Sequence, residues 1–306
     1  MDARAVRTWF DLVEWSPAAH SWPQQRKEIW AWRKLKKARR WVRVLRFVPS
    51  IRMIAIGNTL GYGNCSDESD IDFVIVTAPR RIWFVRLCVV ALLRLFRQRP
   101  GEHTRDAICP SFFLTTEAMN LEDLQLLPHS SSRAERAGGE RSREISHQVP
   151  RDPYLLWWVT QLTVLFDRGG TYDAFWRANE QWVRRWLPDA QPRAVHPRIF
   201  VGAPPPHAPP PRAKRDPESP RDKRGSSLPR PARRPAPAHA SEERGWGVGD
   251  ALERWCRRFQ ERRFSSEVRA LANRDSRVVL TDRMLKFHTN DRRQEYRDRW
   301  IERLRA

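Results

Sequence analysis

At 306 residues the chain has room for one or two domains and ample material for a core. Lysine and arginine number 57 against 36 acids, a formal charge of +21 that favours an anionic partner such as a nucleotide, a nucleic acid or an acidic surface, unless the excess is arginine in unstructured segments. The four cysteines, Cys65, Cys88, Cys109 and Cys256, form no Cys-x-x-Cys pair, so neither a zinc site nor a disulfide framework is indicated and a reducing, cytoplasmic setting is expected.

In chain order, residues 3–13 read as a short helix ending near Ser16-Pro17, and Trp9, Phe10 and Asp11 interrupt any signal-peptide profile. Pro23 precedes a long helical segment to about Phe47, making residues 1–48 an N-terminal helical segment. Leu35, Ala38, Val42 and Leu45 fall on one face of it. The other faces carry Arg33, Lys34, Lys36, Lys37, Arg39, Arg40, Arg43 and Arg46. This pattern suits a solvated basic face, or a helix lying along a nucleic acid backbone.

Residues 49–128 hold the most informative stretch, Ile51 to Thr77. Met53 to Ile56 reads as a short strand, Gly57 to Ser69 as a polar turn, and Asp70-Ile71-Asp72-Phe73-Val74-Ile75-Val76 as a second strand. Side chains alternate along a strand, so Asp70 and Asp72 share a face. The unbroken run Phe73–Val76 suits a strand covered on both sides. Two carboxylates at the mouth of a buried strand repel each other, and a divalent cation relieves that repulsion. Mg²⁺ (or Mn²⁺) takes a few carboxylates together with water and substrate phosphates. Gly57, with Asn58 and Thr59, lets the backbone approach a phosphate closely, while Asp67 and Glu68 read as solvated turn residues.

Pro79 breaks the second strand and Ile82 to Arg97 reads as a helix. Its apolar run contains Arg86 and Arg94 and falls short of the roughly 20 residues that span a bilayer, so no membrane insertion is expected. Ala107 to Thr115 reads as a third strand, in which Pro110 argues for an edge position or a bulge. Thr116-Glu117 and Leu121 to Leu127 begin another helix or turn.

Residues 129–152 are rich in Ser, Arg and Gly and read as a flexible loop. Residues 153–187 read as a helical hairpin turning at Gly169-Gly170. Its second helix sets Phe175, Trp182 and Trp186 on one face as core, with Asn179 a buried polar group among them. Residues 188–245 are rich in Pro, Arg and Ala, cannot bury a core, and read as a disordered linker whose charge suits non-specific nucleic acid contact. Residues 246–306 read as a helical C-terminal region, with Leu252, Trp255, Phe259 and Val268 facing inward and a short strand over Arg277 to Leu280. Lys286, His288 and Arg292 are the phosphate-binding candidates of this tail, His288 reading equally as a structural residue. The fold class is therefore α/β (α+β): a small mixed sheet with flanking helices and a helical C-terminal region. No Walker motif, Ser-His-Asp set or zinc spacing occurs.

Gly57-Asn58, followed across a loop by Ser69-Asp70-Ile71-Asp72 at the head of an apolar strand, resembles the DNA polymerase β-type nucleotidyltransferase superfamily, which usually has Gly-Ser or Gly-Gly at the first pair. Met284-Leu285-Lys286-Phe287-His288 with Asp291-Arg292-Arg293 resembles the C-terminal signature of bacterial proteins that carry this type of domain, as do Ser111-Phe112-Phe113-Leu114 and Ala178-Asn179. The resemblance implies a nucleotidyltransferase-like fold. It also implies transfer of a nucleoside monophosphate from a nucleoside triphosphate to an unidentified acceptor hydroxyl. Asp70 and Asp72 would hold the metal and carry catalysis, and Gly57, Asn58 and Ser69 would cradle the triphosphate. A third carboxylate on the neighbouring strand belongs to the pattern. Ala107 to Thr115 has none, and Asp106, just before it, is the stand-in. The missing acid leaves a second reading open, a catalytically inactive nucleotide- or RNA-binding relative. A third is a scaffold that uses the basic regions for protein or membrane-surface contact.

Overall fold

The computed structural model of the protein describes residues 22–61, 63–101, 105–126, 150–202 and 246–305. The apolar runs form a mixed sheet. Strand β1 (Ile51–Ile56) lies antiparallel to β2 (Ile71–Thr77), and β3 (Ile108–Thr115) runs parallel to β2. A parallel pair needs a crossover, and α3 (Ile82–Leu95) lies between β2 and β3 in the chain. Outside β1 lies β4 (Thr163–Asp167); outside β3 lie β6 (Met284–Phe287) and then β5 (Val278–Leu280), giving the order β4-β1-β2-β3-β6-β5. Both faces of this α/β sheet are covered. Ile54, Ile56, Phe73 and Ile75 pack with α1 (Trp22–Leu45) and α3 on one side. Met53, Ala55, Val74 and Val76 pack with α4 (Pro153–Thr160) and α5 (Thr171–Trp186) on the other. That double cover is why β1 and β2 read as continuous apolar runs.

Pro110 has the second of its two expected outcomes. Strand β3 is interior, but Asp72 pairs with Cys109 and Val74 with Phe112, so β3 carries one extra residue around Pro110 and Ser111. A bulge tolerates the missing N–H that an interior ladder would need.

Several segments differ from their sequence reading. The expected helical hairpin is helix, strand, helix: the second half of its apolar stretch, Thr163–Asp167, pairs with the open edge of β1. Its Thr, Val and Phe suit a strand, and pairing with β1 decides between two readings that apolarity alone leaves equal. In the C-terminal region the strand expected over Arg277 to Leu280 forms as β5, and the unforeseen β6 joins it to the sheet, both between α7 (Ser266–Leu271) and α8 (Arg293–Arg305). The proposed loop and linker both reach into the fold. Asp152 caps α4 by accepting from the Leu155 N–H at 2.8 Å. Ile199, Phe200 and Val201 are buried, and the Val201 N–H donates to the Leu165 carbonyl at 2.7 Å. This apolar triplet interrupts the Pro/Arg composition that otherwise cannot form a core. The helix expected at residues 3–13, residues 129–149 of the loop and residues 203–245 of the linker lie outside the described residues.

Two helices turn differently from expectation. On α1 the buried stripe is Ala31, Lys34, Ala38, Val42 and Leu45, so Lys34 belongs to the inward face. On α6 (Trp246–Glu261) the inward residues are Glu253, Cys256 and Gln260, leaving Leu252 and Trp255 exposed. Polar side chains with fixed partners took the inward positions in both cases. Glu253, for example, accepts from the Trp83 and Phe84 N–H groups at 2.7 and 3.0 Å, satisfying the first turn of α3. Among the described residues no helix is long and apolar enough to cross a membrane.

Candidate active site

The site forms where β1 gives way to β2. At Gly57 an added Cβ would stand 2.6 Å from the Trp158 indole nitrogen, so only glycine lets α4 close on this turn. The Gly57 N–H donates to the Asp72 carbonyl at 3.2 Å, tying the turn to the head of β2. Asn58 opens the single-turn helix α2 (Asn58–Gly61) with a left-handed φ of 53°, a conformation Asn tolerates better than most residues. Its Oδ1 accepts from the Tyr154 hydroxyl and the Trp158 Nε1, both at 3.1 Å. Those two donors fix the amide so that its nitrogen donates to Asp72.

Asp70 and Asp72 stand side by side, as the alternation requires. Burial pushes the Asp72 carboxyl up to about 6; Asn58 and Ser111 pull it down and Asp70 adds to the rise. The Ser111 hydroxyl donates to Asp72 Oδ1 at 3.3 Å. Asp70 is also raised by burial, opposed by the Lys34 charge, and its carboxylate accepts no hydrogen bond among the described residues. On β3 the residues facing the pair are Cys109 and Ser111. Burial and the two carboxylates push the Cys109 thiol up to about 12, so it stays protonated at neutral pH.

Asp106 does not complete this set. Arg33 donates to both its oxygens at 2.8 Å and Lys34 Nζ to Oδ1 at 2.6 Å. Burial raises the Asp106 carboxyl, but these bonds outweigh it and leave the group below the usual carboxylate range. Asp67, expected to be a solvated turn residue, pairs with Arg33 at 2.6 Å and with Arg105. Ser69 serves the turn: its hydroxyl donates to the Ser66 carbonyl at 3.0 Å, and its own carbonyl accepts from Lys34 at 2.6 Å. Among the described residues no group of three or more His, Cys, Asp or Glu side chains converges as a metal site. Asp70 and Asp72 fit the smaller donor set of Mg²⁺, one or two carboxylates completed by water and phosphate oxygens.

Behind Asn58 lies a cavity of about 200 Å³, lined by Asn58, Tyr154, Trp158, Lys286, His288 and Tyr296 among others. The C-terminal residues singled out in the sequence thus meet the Gly57-Asn58 turn in space. Their charges are largely balanced. Lys286 and Arg293 share Asp291 at 3.2 and 2.8 Å, Arg293 also pairs with Asp152 at 2.6 Å, and Arg292 pairs with Glu295 at 2.7 Å. Burial pushes Lys286 down to about 8 and His288 down to about 4, so His288 is neutral at pH 7. Both His288 ring nitrogens are buried without a hydrogen-bond partner among the described residues. Tyr154 and Tyr296 stack with centroids 5.8 Å apart at 9°.

Tyr154 and Trp158 were not marked by the sequence, and Lys34 was placed only on the basic outer face of α1. Ser111 was marked only within the Ser111-Phe112-Phe113-Leu114 resemblance, without a role at the acids. Comparison with protein-family models, with curated proteins and with solved structures finds no match for the chain.

Proposed function

We propose that the chain is a divalent-cation-dependent nucleotidyltransferase of the DNA polymerase β type, moving a nucleoside monophosphate from a nucleoside triphosphate to an acceptor hydroxyl. One observation carries the reading. The Asp70–Asp72 pair at the mouth of β2 is joined through Asn58 to the turn after β1 and to the cavity beyond it. Asp70 and Asp72 are the residues to hold Mg²⁺ or Mn²⁺, which when bound offsets the charge of the phosphates. Gly57 lets Trp158 close on the turn, and Asn58 orients Asp72. In the transfer the acceptor oxygen forms a bond to the α-phosphorus. The bond from that phosphorus to the bridging oxygen breaks, pyrophosphate leaves with the electron pair, and the hydroxyl proton passes to water.

A second reading is favoured by a specific observation: Cys109 and Ser111 occupy the β3 positions facing the pair, and Asp106 is held by α1. A chain of this kind binds the nucleotide and does not turn it over. Thermal-shift titration with each nucleoside triphosphate, with and without Mg²⁺ or Mn²⁺, tests the site. A ligand at a hundredfold excess over its Kd stabilises the native state by about 2.7 kcal/mol. The expected result is a metal-dependent shift that is lost in Asp72→Asn. A shift of equal size in both proteins removes the site from the pair. Pyrophosphate release on addition of candidate acceptors separates the enzyme from the non-catalytic relative.

A further inference from the structure

Helix α6 turns its polar side chains inward and its aromatic ones outward. Trp255 is 55% exposed and stacks on Phe259 with centroids 5.2 Å apart at 24°. The exposed Trp255 on the half-buried Phe259 forms an aromatic patch on an ordered helix, which marks an interaction surface. Arg254, Arg258 and Arg262, one helical turn apart, flank the pair; all three are exposed and their side chains make no hydrogen bond or ion pair among the described residues. The Arg263 guanidinium lies over the Phe259 ring, 3.7 Å from its centroid. The carboxylates of the helix are already engaged, Glu253 by the first turn of α3, Glu261 by Arg257 and Asp250 by Arg80. Arg254 and Arg258 also line a groove of about 580 Å³, in which Asp282 is likewise paired with Arg257 and Glu117 with Arg283.

We infer that this face of α6, with Arg262 just past its end, binds single-stranded nucleic acid, with phosphates against Arg254, Arg258 and Arg262 and unpaired bases on the exposed Trp255 ring, which Phe259 backs. Free guanidiniums beside an exposed ring face are the two parts such binding needs, and stacking accepts any base. A duplex hides its base faces from the platform, and an acidic peptide engages the arginines while leaving the rings in water. Cys256 anchors α6 in the core on the α1–α3 side of the sheet, whereas the Asp70–Asp72 pair shares the side of Val74 and Val76. The inference therefore stands apart from the transferase reading.

The test is fluorescence anisotropy of a labelled single-stranded oligouridylate with the full chain. Binding should weaken steeply with salt, and Trp255→Ala should lower affinity about tenfold or more while Trp255→Phe retains most of it. The double variant Arg254→Ala/Arg258→Ala should reduce the salt slope by about 1.4, the share of two phosphates on a single strand. All these positions are exposed, so unchanged thermal midpoints verify that the variants fold. Any of three results overturns the inference: affinity unchanged in Trp255→Ala, a labelled duplex of equal length bound as tightly, or polyglutamate displacing the oligonucleotide at equal charge concentration.

Discussion

Lys34, with no exposed surface, donates from α1 to the carbonyl of Ser69 at 2.6 Å, one residue before Asp70. The same ammonium reaches the Asp67 carbonyl at 2.9 Å and Asp106 at 2.6 Å. One buried cation thus fixes the end of the loop that delivers the first carboxylate and neutralises the acid beside it. Removing the ammonium leaves Asp106 to Arg33 alone and strips the Asp67 and Ser69 carbonyls of this donor, each unsatisfied group costing about 1–3 kcal/mol. Lys34→Met should lower the unfolding free energy by about that much in urea titration. A loss below about 1 kcal/mol would mean that water replaces the ammonium and that the loop does not depend on it.

Gly57→Ala tests the close approach of α4. The added methyl meets the rigid indole of Trp158, whose Nε1 is bonded to Asn58, so it cannot be relieved without breaking that contact. Overpacking of this kind costs about 1–3 kcal/mol. The expected outcome is a destabilised protein that has also lost its nucleotide-dependent thermal shift. A variant of unchanged stability would show that the indole yields freely.

How much of this was legible in the sequence follows from where each constraint lives. Asp70 and Asp72 could be read because alternation and the apolar run Phe73–Val76 are local features. The bulge was legible at Pro110 for the same reason. Lys34 was not, because a lysine on a basic helix carries no mark of the carbonyls it meets 33 and 35 residues away. Strand β4 was hidden because Thr163–Asp167 takes its conformation from β1, more than 100 residues earlier by the Ile56–Thr163 pairing. The inward turn of α6 was missed because hydrophobicity assigns Leu252 and Trp255 to the core, while Glu253 and Gln260 hold specific bonds to α3.

Asn179 shows a buried amide with every group used. Its Oδ1 accepts from the Leu121 N–H and the Trp182 indole at 2.9 and 3.0 Å, and its Nδ2 donates to the Met119 and Phe175 carbonyls at 2.7 and 2.8 Å. It thereby clamps the segment after β3 onto α5. Asn179→Leu keeps the branched shape and strands two buried donors, each costing about 1–3 kcal/mol. Chemical denaturation should show a loss of at least about 2 kcal/mol. Wild-type stability in this variant would show that the 119–121 segment is held by packing alone.

The Asp106 cluster makes a pH prediction that is best read as a difference between two proteins. Arg33, Lys34 and Lys37 of α1 face this carboxylate, with the Cys65 thiol nearby. Asp106 is depressed below its ordinary value of 3.8, so its ionisation stabilises the fold above that value and the contribution fades as pH falls through the lower folded value. Asp70, Asp72 and Asp152 are raised and change stability in the opposite sense, and Asp67 is lowered like Asp106. All four are present in both wild type and Asp106→Asn and cancel in the comparison. Asp106→Asn should be the less stable protein at neutral pH, with a gap that holds down to about pH 4 and closes below it as wild-type Asp106 takes up its proton. Unfolding free energies measured by urea titration across that range check this. A gap that stays constant into acid would assign the loss in Asp106→Asn to altered hydrogen-bond geometry instead of lost charge.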